Sequence, residues 1–191
     1  MIHPSALIGE DALLGPDATV GPFVLIGMDG PAGPAQIGAR ATIRSHTVIY
    51  RASSIGDNFQ TGHGALVRDQ CEIGHDVSIG SHSTIEFKVR MADRVRLHSG
   101  CFVPEYSVLE EGAWLGPGVI VTNSRYPSAP NAKDSLEGVH IGAGAVVGAG
   151  AVLLPGLSIG AGALIGAGAV VVRDVPAGAR VVGNPGRVLG F

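Results

Sequence analysis

A chain of 191 residues with 46% apolar content can bury one continuous core, and a formal charge of -3 with 5% aromatics supplies neither a basic stripe nor a base-stacking platform for nucleic acid. Aliphatic patterning begins at Ile2, which leaves no room for a signal peptide, and no apolar run approaches membrane-spanning length. The expectation is a cytoplasmic protein with no nucleic-acid partner and no membrane insertion.

Counting in sixes from Ile2 lands on Ile8, Leu14, Val20 and Ile26, resumes at Ile37 and runs to Val121, then resumes at Ile141 and runs to Val171. Of these 26 hexads only one, at Thr61, is not aliphatic. Neither a helix nor an alternating strand has period six. A chain that turns a corner after every short strand does. Many of the 30 glycines follow the aliphatic position, as in Ile79-Gly80 and Ile165-Gly166, where a corner crowds the backbone.

Three hexads make a triangular coil, and residues eighteen apart stack at the strand spacing of roughly 4.8 Å. The spacing predicts three internal ladders: Ile37, Ile55, Ile73, Met91, Leu109; Ile43, Thr61, Ile79, Leu97, Leu115; and Ile49, Val67, Ile85, Val103, Val121. Such a prism is filled, so function lies on its outside or between copies. Cys71 and Cys101 take the fifth, small-residue place of their hexads and are not separated by a whole number of coils, which predicts core thiols and no disulfide.

The register breaks twice. A minor loop spans 26–37, through the Gly- and Pro-rich run from Met28 to Gln36. A longer loop spans 122–140, through Asn123, Ser124, Arg125, Tyr126 and Pro127, and a polar loop leaving a rigid repeat is where binding groups are displayed.

The register, this later loop and the ending Gly166 to Pro176 followed by Gly183-Asn184-Pro185-Gly186-Arg187 resemble the hexapeptide-repeat acyltransferases over almost the whole chain. The stretch from Gly112 to Asn123, with Tyr126-Pro127 following, is similar to the branch that acetylates amino groups on nucleotide-linked sugars for cell-surface polysaccharides. The resemblance implies an all-β fold, a left-handed parallel β-helix forming a single domain over 1–191, assembled as a homotrimer with active sites between subunits. It implies acetyl-CoA as cosubstrate, lying along the C-terminal coils and tail, 141–191, with its thiol end toward the loop at 122–140. Backbone amides of Ala149 and Ala167 match positions that contact pantetheine, and Arg173 and Arg187 match basic positions at the nucleotide and phosphate end. No metal site is implied.

Acyl transfer needs an acceptor nucleophile, a group to take its proton and donors for the oxyanion. Related galactoside and maltose acetyltransferases carry a His before the loop Pro, where this chain has Tyr126. That departure favours an amine acceptor, because an amine of pKa roughly 8 is partly neutral at physiological pH. Candidate bases are His46, His63, His75, His82 and His98, with His3 at the frayed end and His140 at the loop border. His98 is chosen as proton acceptor, Glu105 as the group orienting it or the amine, and Asn123 as a contact to sugar or intermediate. His82, Arg125 and Tyr126 are the expected contacts to the sugar nucleotide.

Two rival enzymes share this kind of coil. In a γ-type zinc carbonic anhydrase, the third ligand after His46 and His82 would fall at Phe87, and the register starting at His63 would need a His at Arg68, so the three ligands a catalytic zinc requires are missing. An acyl-carrier-dependent lipid acyltransferase shares the opening Ile2-His3-Pro4-Ser5-Ala6 but adds a helical C-terminal domain. A sugar O-acetyltransferase is the alternative within the same family, and a plain binding scaffold would need neither the loop nor the terminal arginines. The reading favoured is transfer of acetyl from acetyl-CoA to an amino group of a nucleotide-linked sugar.

Overall fold

A computed structural model describes residues 1–190, and the chain forms one left-handed parallel β-helix. Strands are mostly two residues long, as in Thr42–Ile43 and Ser78–Ile79, with the first residue facing out and the second buried. This in-out pair followed by a corner is what the period of six encodes.

The first sheet has nine strands, from Leu7–Ile8 to Val170–Val171. The second has eight, from Leu13–Leu14 to Ser158–Ile159. The third has ten, from Thr19–Val20 to Arg180–Val182, closed by Arg187–Gly190. Partners lie eighteen apart, as in Ile55 on Ile73, Ile79 on Leu97 and Val67 on Ile85. The stacking continues across both loops, with Leu14 on Ile37 and Leu109 on Ile141. All three ladders anticipated from spacing are therefore present.

Ile26, Ile49, Ile85, Leu115 and Leu153 are fully enclosed, each worth about 1.5–3 kcal/mol of apolar burial. Cys71 and Cys101 are buried free thiols, and burial pushes Cys71 up to about 12. The two ends depart from the repeat. Ile2 makes only an isolated bridge to Val20, and Ile8 and Leu14 are half-buried, because no coil covers them from below. At the far end, past the last hexad at Val171, Val181 stacks on Ile165 and a hairpin pairs Val182 with Arg187. That antiparallel closure has no period-six signature and was not foreseen.

The corner after the first sheet is the first corner, that after the second sheet the second, and that after the third sheet the third. Close stacking controls the third corner. A Cβ on Gly116 would lie 2.8 Å from the amide nitrogen of Ala149, and one on Gly148 would lie 2.5 Å from that of Ala167. Glycine fills this place at Gly21, Gly62, Gly80, Gly116, Gly148 and Gly166, and only Arg44 and His98 interrupt the column.

Both loops leave the first corner. The longer one carries a short 3-10 turn, Ala132–Ser135, and its base is closed where Glu137 N donates to Asn123 O at 2.8 Å. Among the described residues no helix is long and apolar enough to cross a membrane.

Candidate active site

His98 sits at the third corner, half-buried, with its ring edge-on to Trp114 at 4.7 Å between centroids. Trp114 stands outward on the third sheet directly above Arg96. Below them the outer face of that sheet is polar, with Thr42, Gln60, Ser78 and Arg96 in register; above them it is apolar, with Trp114, Val146 and Leu164. The changeover falls at the level of His98. An open groove of about 360 Å³ runs down from it, lined by His63, Ser81, Arg44 and the polar rungs.

Glu105 and Asn123 occupy the first corner, one coil apart, and Asn123 Nδ2 donates to Glu105 Oε2 at 2.7 Å. Eighteen residues apart, the two are thus in direct contact. Beneath them Arg68 pairs with Glu86 at 3.0 Å and lies over the Tyr50 ring at 5.1 Å. Burial lifts the Glu86 carboxyl above the ordinary range; Arg68 draws it back, and Glu105 and Asp69 add to the rise. Arg125 and Tyr126 are exposed on the loop, Tyr126 by 72%.

Within one chain His98 and Glu105 do not meet. The whole first sheet separates their corners, with Phe102–Val103 between them. His82 lies on the His98 corner one coil lower, its ring packed over Gly64. His63 Nδ1 bonds Ser45 Oγ at 2.8 Å, and His75 Nδ1 accepts from Asp57 N at 3.0 Å, so both rings tie neighbouring coils together. His46 stacks against Phe23 at 5.2 Å.

Above His98 the third corner is bare: Gly116-Pro117-Gly118, Gly148-Ala149-Gly150 and Gly166-Ala167-Gly168 follow one another. Ala149 and Ala167 are exposed, and among the described residues neither amide N–H donates to protein. Arg173 and Arg187 come together at the top of the coil, lining a cleft of about 170 Å³ with Asp174 and Val188. An extended acyl carrier could lie on such a strip with its phosphates near these guanidinium groups.

Sequence reasoning missed two features. Trp114 escaped notice because an outward residue in a repeat carries no period. Glu110, at the second corner, bonds His140 Nε2 at 2.8 Å and Ala143 N at 2.9 Å; His98 stands in a glycine column and Glu110 in one that is glycine apart from Ala92, and those exceptions were readable signals.

A filled three-sided coil with an extruded polar loop and a bare C-terminal corner defines a hexapeptide-repeat protein. Residues 52–86 and 138–173 match the family described as bacterial transferase hexapeptide (six repeats), and the chain is 35% identical over 137 residues to nodulation protein L of Rhizobium meliloti (strain 1021), covering 69% of each. The chain belongs to the bacterial transferase hexapeptide family. Among solved structures, UDP-N-acetylglucosamine O-acyltransferase from Moraxella catarrhalis RH4 is 21% identical with a TM-score of 0.61, covering 100% of this chain and 74% of that one. A maltose O-acetyltransferase from Clostridium difficile 630 is 23% identical with a TM-score of 0.50, covering 65% and 67%. These last two likenesses are of fold. The chain spans 56% to 74% of the solved chains it resembles.

Proposed function

We propose that this chain is an acyltransferase that moves acetyl from acetyl-CoA to an amino group of a nucleotide-linked sugar, working as a homotrimer. The observation that carries this reading is the changeover at His98: polar rungs below it suit an acceptor, and a bare, amide-bearing corner above it suits an extended thioester carrier. In this reading His98 takes the proton of the attacking amine. Ala149 and Ala167 donate their free amides to pantetheine, and Arg173 and Arg187 hold the phosphates. His82, Arg125 and Tyr126 contact the sugar nucleotide.

The outer face of the first sheet supports the assembly. Leu7, Leu25, Val48, Leu66, Phe102, Ile120, Val152 and Val170 stack as a mostly apolar ladder, interrupted at Thr84, that is open to solvent in one chain, with Ile120 37% exposed. A patch of that kind marks a contact surface. Three copies closing a ring through this face set the third corner of one against the first corner of the next, because these two corners bound the sheet. His98 of one copy then stands level with Glu105 of its neighbour and just below the base of the neighbour's loop.

Tyr126 in place of the loop His leaves the acceptor to supply more of its own nucleophilicity, which favours an amine over a hydroxyl. Coupled thiol-release assays across nucleotide-linked amino sugars, plain amino sugars and hydroxyl-only sugars test this. Turnover is expected with a nucleotide-linked amine. Turnover confined to hydroxyl acceptors would overturn the amine assignment.

A further inference from the structure

The one non-aliphatic hexad has no counterpart in the proposed chemistry. Thr61 is 1% exposed in a ladder that is otherwise Ile, Leu or Val, and Thr47 beside it is also buried. Thr61 Oγ1 accepts the backbone N–H of Arg44 at 3.0 Å and bonds Thr47 Oγ1 at 3.0 Å, while Thr47 Oγ1 donates to Gly62 O at 3.2 Å. The hydroxyl protons are fully used in that order. The carbonyl of Thr61 accepts from Arg44 Nη1 at 2.6 Å. One buried threonine therefore grips Arg44 at both its backbone and its guanidinium.

Arg44 is the other residue, besides His98, that interrupts the glycine column of the third corner. Three local departures from the repeat coincide here: arginine for glycine, threonine for aliphatic, and a paired Thr47. Packing alone is met by isoleucine and glycine at the Thr61 and Arg44 places, as at Ile79 and Gly80. Arg51 and Arg94 pair with Asp11 and Glu111, and Arg40 and Arg68 with Asp57 and Glu86. Among the described residues Arg44 and Arg96 have no carboxylate partner, and no Asp or Glu lines the groove they share with His63, His98, Gln60 and Ser78.

We infer that this groove binds the diphosphate of the nucleotide-linked acceptor, with Arg44 as its anchored cation, while Arg96, level with His98, faces the sugar end. The inference rests on the proposed acceptor class. Arg44 lies three coils below His98, roughly 14 Å at the spacing of stacked strands, which places phosphoryl groups at one end of the groove and the sugar's nucleophile at the other. A guanidinium fixed at one nitrogen loses little further freedom on binding and keeps its remaining N–H groups for phosphate oxygens.

Titration calorimetry of the full chain with uridine diphosphate, and separately with coenzyme A, tests the assignment in the parent, Arg44→Gln, Thr61→Val and Arg125→Gln proteins. Uridine diphosphate is expected to bind about tenfold or more weakly to R44Q, and measurably more weakly to T61V, in which Arg44 keeps the Thr61 carbonyl but loses the hydroxyl that holds its backbone N–H. R125Q is expected to retain more of that affinity than R44Q, and coenzyme A to bind all four alike. Absence of uridine diphosphate binding to the parent, equal binding by R44Q, or a loss confined to coenzyme A would overturn the inference. Circular dichroism of each variant separates loss of fold from loss of binding. If the binding pattern holds while no nucleotide-linked amine is acetylated, the groove assignment stands and the acceptor chemistry falls.

Discussion

Asn123 and Glu105 are joined at 2.7 Å across one coil, so the residue that opens the long loop is held by a carboxylate on the rigid prism. The carbonyl of the same Asn123 accepts Glu137 N, which pins the loop's return. A hydrogen bond to a charged group is worth about 1.5–3 kcal/mol. Glu105→Ala should therefore loosen the loop while leaving the coil intact. Limited proteolysis should cut between 124 and 136 at least several-fold faster in E105A, with an unchanged circular dichroism spectrum. Equal cleavage rates would show that the backbone contact alone sets the loop.

Two glycines predict responses of different size. Gly148 has no room for a Cβ, which would lie 2.5 Å from Ala167 N, whereas Gly118 has open space but φ of +67°. Gly148→Ala should cost about 1–3 kcal/mol through overpacking of stacked coils. Gly118→Asn should cost under about 1 kcal/mol, because asparagine tolerates the left-handed region and Asn58 already adopts it at φ 58°. Denaturant melts of the two variants check the ordering.

The fold was legible because a stacked coil repeats its physical demands at every corner, six residues apart: a buried aliphatic, then a small residue where the backbone turns. Thr61 stood out against that background, although its purpose emerged only when its hydroxyl was seen to hold Arg44 N. The site was less legible, since Glu105 and His98 are seven residues apart yet lie on different corners. Spacing gives the level of a residue in the stack, while the width of the first sheet separates them. The closing hairpin from Arg180 to Gly190 left no trace in the pattern because antiparallel pairing over the open end obeys no period of six.

The buried thiol of Cys71, raised to about 12 by burial, stays protonated through neutral pH. Only the thiolate attacks disulfide reagents. A chromogenic disulfide at pH 8 should leave Cys71 unmodified in the folded chain and label it after guanidinium unfolding. The raised value also means that the folded form keeps its proton after the unfolded form, near 9, has lost one. This group's contribution to stability is full below pH 9 and falls as pH rises toward 12.

The apolar outer ladder of the first sheet predicts its own failure. Phe102 and Leu66 stand on that face, half-buried in the single chain. A carboxylate at either would be desolvated without a partner if the face is closed by another copy. Phe102→Glu combined with Leu66→Glu should convert a trimer to monomers by light scattering, with the coil's spectrum retained and thiol release abolished. A double variant that remains trimeric would place the interface elsewhere.

Splitting the site between copies makes a sharper test possible. His98 lies on the third corner and Asn123 on the first, and the proposed ring would set one copy's third corner, with His98, against its neighbour's first, with Asn123. His98→Ala should lower kcat about 10²- to 10⁴-fold through loss of a proton acceptor with acetyl-CoA affinity unchanged, and Asn123→Ala should also impair turnover. If H98A and N123A chains are unfolded together, mixed and reassembled, about a quarter of seams pair an intact His98 with an intact Asn123 under random assembly. Activity should then recover toward a quarter of the parent value, far above either variant alone. If both residues acted within one chain, no mixture could contain a complete site. Recovery therefore separates a seam from a self-contained corner, and its absence in reassembled trimers would return His98 and Asn123 to separate roles.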